Sequence, residues 1–192
     1  MSNHIDFYFD IISPYAYIAH KKILKYNDIV FNYKPIYLGG LHKLAEINSP
    51  AFNKYKLSNN INDCNLVSEK NNIEFKWNSN FPINSLSIMR GYLYINKDKK
   101  NDYLNTFFDA YWKDNQDLSK TENINKLLSN MKIDSKEFFK SIREQSIKNK
   151  LKKLTSEAFE KEVFGVPTFI VNNKIFWGQD RLEYALEEIN KN

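Results

Sequence analysis

The chain has 192 residues, 42% of them apolar, with 28 lysines and arginines against 23 aspartates and glutamates and a formal charge of +5. This is the balance of one globular domain, or one domain with an insertion, and it excludes a disordered or fibrous chain. The basic residues are scattered among asparagines and acids without the clustered motif that nucleic-acid binding needs, and no apolar run approaches the roughly 20 residues of a membrane span.

Strand character begins almost at once, at Ile5-Asp6-Phe7-Tyr8-Phe9-Asp10, leaving no room for a secretory leader, so the cytoplasm is the expected compartment. The alternation there has period two and predicts a strand with one buried face. The strand ends at Ile11-Ile12, and Ser13-Pro14 follows. Serine can accept from free amides as an N-cap and proline suits the first helical position, so a helix is predicted from this point. Its inward stripe is Tyr15, Ile18, Ala19, Ile23 and Tyr26. A second strand is predicted over Val30 to Tyr37.

From about Gly39 to about Glu160 no further strand is apparent, and amphipathic stretches predict a helical block. Its apolar stripes include Ile88, Tyr92 and Ile95; Tyr103, Phe107, Ala110 and Tyr111; Ile124, Leu127, Leu128 and Met131; and Phe138, Phe139 and Ile142. Polar breaks offer Ser119, Thr121, Asp134 or Ser135 as caps. Strands return at Thr168–Val171 and Ile175–Trp177 around Asn172-Asn173, a pair that tolerates the positive φ angles of a tight hairpin. A last helix carries Leu182, Ala185, Leu186 and Ile189, with Asp180 and Glu183 spaced as a capping box. The order matches an α/β thioredoxin arrangement with a large all-helical insertion: residues 1–40 and 161–192 form the discontinuous sheet domain, and 41–160 the helical domain.

Two places suggest chemistry. Ser13 stands where a strand ends and a helix begins, a position that favours negative charge through free amides and the helix dipole; a plain capping serine is the alternative. Gly165-Val166-Pro167-Thr168 precedes a strand, where a proline marks an edge, a bend, a cis bond or an ordinary loop. A lone cysteine, Cys64, closes no internal disulfide, forms no Cys-X-X-Cys redox pair and builds no multi-cysteine zinc site. It reads as structural, because neighbouring Asp63 raises a thiol pKa.

The segments Asp6 to Tyr17, Val163 to Phe169 and Phe176 to Leu182, together with Ile73-Glu-Phe-Lys-Trp77 and Phe81-Pro-Ile-Asn-Ser85, resemble the 2-hydroxychromene-2-carboxylate isomerases and the related kappa-class glutathione transferases. The resemblance spans essentially the whole chain. It implies a bacterial-type, glutathione-dependent isomerase, a homodimer acting on a small aromatic or conjugated carboxylate. Ser13 would face the glutathione sulfur, and Val166 beside a cis Pro167 would pair its backbone with the cysteinyl part. Trp177, Gly178, Gln179 and Asp180 would surround the γ-glutamyl end. Lys56 would meet the glycyl carboxylate with Asp63 orienting it, while Asn59 and Leu66 stand where relatives carry tyrosine and arginine. Asn48 would face glutathione or substrate, and His42 and Phe81 would line the substrate pocket. The alternatives are a kappa-like transferase or peroxidase that consumes glutathione, and a non-catalytic binding module on the same fold. A thiol of pKa near 8.5 is only about 3% ionised at pH 7, and lowering it by about two units takes roughly 2.7 kcal/mol. A serine hydroxyl and a helix N-terminus are of the right size to supply that without a histidine base.

Overall fold

A computed structural model describes residues 4–191. Strand β1 (His4–Phe9) leads through Ser13 into helix α1 (Pro14–Ile23) and on to β2 (Val30–Pro35). Seven helices follow: α2 (Leu38–Leu44), α3 (Lys54–Lys70), α4 (Leu86–Tyr94), α5 (Lys100–Trp112), α6 (Thr121–Asn130), α7 (Ser135–Ser141) and α8 (Gln145–Glu160). The chain closes with β3 (Thr168–Val171), β4 (Lys174–Trp177) and α9 (Leu182–Ile189). The sheet order is β2-β1-β3-β4. β1 and β2 run parallel with Phe7 opposite Tyr33, as the helical crossover between them requires. β3 is antiparallel to β1, with Phe7 opposite Phe169, and β4 returns beside β3. This is the thioredoxin arrangement with helices inserted between β2 and β3.

The hairpin turns through Asn172 and Asn173 at φ 51° and 60°, the doubly left-handed geometry that matches strand twist and suits asparagine. Asp134 caps α7 by accepting from the Lys136 and Glu137 amides. Neither Ser119 nor Thr121 caps α6, whose N-cap is Lys120 without a side-chain bond; the Ser119 hydroxyl turns to Asp117 instead.

Three further expectations are corrected. Strand β1 is buried on both faces. Ile5, Phe7 and Phe9 enter the main core, while Tyr8 joins Ile36, Leu41, Ala158, Val163 and Val166 on the opposite side. Helix α8 packs against β2 and α2, and cover from the inserted block is invisible in a local alternation. Helix α1 ends at Ile23, so Tyr26 lies beyond it and is exposed, while Ala16, Tyr17 and His20 are buried beside the expected stripe. Asp180 is no helix cap. It lies in a 3-10 turn, Gln179–Arg181, and its carboxylate takes the Arg181 guanidinium at 2.8 Å.

Sheet and helical block share one core. Phe9 of β1 meets Tyr92 of α4 at 5.2 Å and Phe108 of α5 at 6.3 Å between ring centroids. Each buried aromatic contributes about 1.5–3 kcal/mol by leaving water. The strongest tie to the site is Trp112 at the end of α5. It is fully buried, stacks on Phe75 at 5.8 Å and donates its indole N–H to the Ile11 carbonyl at 2.8 Å. The loop carrying Ser13 is thus held from the far end of the inserted block.

Candidate active site

The first turn of α1 explains why Ser13 sits where it does. Its backbone N–H bonds the Asp10 carbonyl, its Oγ accepts from the Ala16 amide at 3.2 Å, and Pro14 has no amide to satisfy. Of the four donors that a helix start leaves orphaned, the Tyr15 amide alone is left without a partner among the described residues. Ser13 is only 5% exposed and spends its single proton on the Val166 carbonyl, 3.0 Å away across 153 residues of sequence. The Val166–Pro167 peptide bond is cis. The Val166 amide N–H has no hydrogen-bond partner among the described residues.

The β4 end lies against the same corner. Gly178 donates its amide to the Pro167 carbonyl at 3.0 Å and holds φ +114°, a left-handed angle open to glycine and strained for other residues. Gly165 runs directly under Trp177, where an added Cβ would come within 2.7 Å of the indole nitrogen. Trp177 itself is 53% exposed and packs against Phe164 at 4.9 Å. Gln179 is buried and its side-chain Oε1 accepts from Lys22 Nζ of α1 at 2.5 Å. Burial lowers the Lys22 pKa below its ordinary value.

Other expected residues are more dispersed. Asp63 of α3 does not meet Lys56; it accepts the Tyr15 hydroxyl at 2.8 Å. Burial and this bond push the Tyr15 pKa far up, so Tyr15 is a donor and stays protonated. Lys56, in the first turn of α3, is exposed and makes no ion pair among the described residues. Asn48 is exposed in the connection after α2, and Asn59 and Leu66 point outward on α3. His42 on α2 is half-buried, which lowers its pKa. Phe81 packs on Trp77 and Trp112 at 5.0 and 5.7 Å and so reaches the Ser13 loop through the Trp112 indole. Cys64 is buried beside Asp63, and burial pushes its thiol up to about 12. It is inert at neutral pH.

The sequence reading missed Asp10. It counted as a solvent-facing partner of the alternation, yet the side chain is fully buried and accepts from the Ile12 amide, the Leu38 amide and the Ser85 hydroxyl at 3.2, 2.8 and 2.9 Å. Burial outweighs these bonds and raises its pKa to about 6. Asp10 ties the Ser13 loop to the starts of α2 and α4. The available signal was its place at the end of a strand, just before a Ser-Pro helix start.

The description that matches the chain is the DsbA-like thioredoxin domain, over residues 4–190. A 2-hydroxychromene-2-carboxylate isomerase from Pseudomonas sp. (strain C18) is 30% identical over 188 residues, covering 93% of this chain and 86% of that one. The chain belongs to the DsbA-like thioredoxin family, in the branch of these isomerases. A second such isomerase, from Sphingobium xenophagum, is 24% identical and covers 96% of both chains. A solved structure of a 2-hydroxychromene-2-carboxylate isomerase superposes with a TM-score of 0.88 at 23% identity, covering 97% of this chain and 94% of that one. Within the thioredoxin family, dithiol exchange needs a paired Cys-X-X-Cys. Here Ser13-Pro14-Tyr15-Ala16 opens α1 and the chain's one cysteine lies on α3, so intramolecular dithiol chemistry is not open to it.

Proposed function

We propose that the chain is a glutathione-dependent isomerase acting on a conjugated carboxylate of the 2-hydroxychromene-2-carboxylate kind, with Ser13 as the donor to the ligand's sulfur. The observation that carries the reading is the Ser13–Val166 contact: a hydroxyl at a helix start, facing the backbone next to Pro167, in a chain without a second cysteine. The isomerase names of the relatives point the same way. The corner fits a thiol-bearing tripeptide at its cysteinyl part, since the Val166 and Tyr15 amides are unspent donors. Trp177, Gly178 and Asp180 would hold the γ-glutamyl part, with Asp180 exchanging Arg181 for the ligand's ammonium. Lys56 would reach the glycyl carboxylate. Glutathione, when bound, supplies a thiolate that adds reversibly to the conjugated substrate and is returned unchanged.

Ser13 carries one proton, and the ligand must compete for it with Val166. A bond to an anion is worth roughly 1.5–3 kcal/mol and a neutral one roughly 0.5–1.5 kcal/mol, so the hydroxyl turns toward a thiolate with a net gain near 1 kcal/mol. The helix N-terminus adds about 0.3–1 kcal/mol and lies within reach of the same atom. Together they lower the thiol pKa by about one to one and a half units. Asp10 and Trp112 act as positioning residues by holding the loop that presents Ser13.

The test is a pH titration of bound glutathione by thiolate absorbance in the wild type and in Ser13→Ala, with free thiol counted during turnover. The reading expects ionisation about one to one and a half pH units below free glutathione, a return toward the free value in Ser13→Ala, and no net loss of thiol. A bound thiol that ionises as it does in buffer removes the role of Ser13. Stoichiometric thiol loss makes the chain a transferase.

A further inference from the structure

Away from the Ser13 corner, a cleft of about 510 Å³ opens between α4, α6 and α7. Of its nine lining residues three are cations, Arg90, Lys136 and Arg143, and none is acidic. None of the three makes an ion pair among the described residues, although most lysines here have a carboxylate within a few residues of sequence. The lining thus presents positive charge with no carboxylate of its own, a field that favours an anion.

A second observation concerns satisfaction. The Arg90 Nε and the Asn125 Oδ1 are each shut off from solvent without a hydrogen-bond partner, and both belong to residues of this cleft. Unpaired buried groups of this kind cost stability, and an anion supplies the acceptor that the Arg90 N–H lacks. The start of α6 lies at the rim. Its N-cap, Lys120, provides no side-chain acceptor, so amides of the first turn stay free where Thr121 lines the cleft. Phe139 and Ile142 supply an apolar wall. The volume lies in the range of small-molecule sites and exceeds what a bare ion fills.

We propose that this cleft binds a small organic phosphate. Its dianionic head would sit among Arg90, Lys136 and Arg143, with a compact apolar or planar body against Phe139 and Ile142. Three cations match a dianion better than a single carboxylate, and arginine suits a phosphate through paired N–H donors. None of these residues belongs to the proposed glutathione site, so the assignment stands independently of that reading.

The experiment is calorimetric titration of the whole chain with phenyl phosphate, with benzoate and inorganic phosphate as separate arms at constant ionic strength. Saturable binding of phenyl phosphate at a Kd below about 1 mM is expected, with benzoate and inorganic phosphate each weaker by at least about fivefold. In the double variant Lys136→Gln, Arg143→Gln, whose side chains are exposed and whose loss leaves the core intact, affinity should fall by at least about tenfold. The melting temperature of the unliganded variant reports that it folds. Should it not, Arg143→Gln alone is expected to weaken binding about threefold or more. Absence of saturable binding at millimolar concentration, equal affinity for benzoate, or affinity unchanged in a folded variant overturns the assignment.

Discussion

The corner at Ser13 and the segment from Asn48 to Leu66 were both expected to grip the same ligand, and they are built in opposite ways. At the corner, the residues are locked by partners distant in sequence. Ser13 bonds Val166, Gly178 bonds Pro167, Lys22 bonds Gln179 and Trp112 bonds Ile11. In the segment, Lys56, Asn59 and Leu66 point outward from α3, which is capped locally by Asn53. Asp63 and Cys64 turn inward, and Asp63 accepts the Tyr15 hydroxyl. A preorganised corner presents donors to a reacting atom without further ordering, whereas an exposed helix face has to recruit its ligand through solvated charges that are worth little each.

That contrast can be broken at several strengths. Removing the indole anchor by Trp112→Ala should cost the most, about 3–5 kcal/mol in urea unfolding; a loss below about 1 kcal/mol would show that the inserted block does not hold the Ser13 loop. Next comes Asp10. Its pKa is raised from 3.8 to about 6, so the folded chain keeps a proton that the unfolded chain releases between those values. The stability this group provides is full below about pH 4 and is lost as pH rises through 6. Asp10→Asn cannot titrate, and it should gain on the wild type by on the order of 2–3 kcal/mol between pH 4 and 7. A pH-independent difference between the two proteins contradicts the assignment. Ser13→Ala removes a cap and leaves the Val166 carbonyl unpaired, a loss of about 1–2 kcal/mol, with turnover falling by more than stability accounts for. Equal falls would reduce Ser13 to a structural cap. Smallest is Lys56→Ala, expected within about 0.5 kcal/mol in stability, with glutathione affinity reduced by up to about fivefold; a large stability loss would place Lys56 in the fold instead.

Local patterns carried much of this. The Ser-Pro start of α1, the Asn172-Asn173 hairpin, the Asp134 cap and the amphipathic stripes of α5 and α6 are set by interactions spanning at most four residues, so they can be read along the chain. Ser13 was legible as a candidate site because it combines a strand end, a cap and a helix N-terminus. Asp180 was misassigned for the complementary reason: a capping box needs the helix to start at the next residue, and a 3-10 turn intervenes. Asp10 and Trp112 could not be ranked from the chain, since their roles depend on Leu38, Ser85 and Ile11 arriving from elsewhere.

By itself the sequence determined the order of elements, the absence of a dithiol and the place where a helix presents its free amides, because each follows from residue type and short-range spacing. Tertiary structure alone decided that β1 is buried on both faces, that Asp10 is shut away from water beside two other helices, and that three unpaired cations face one cleft. Burial and charge convergence are properties of surfaces brought together by folding, and no spacing along a chain encodes which surface will close over which.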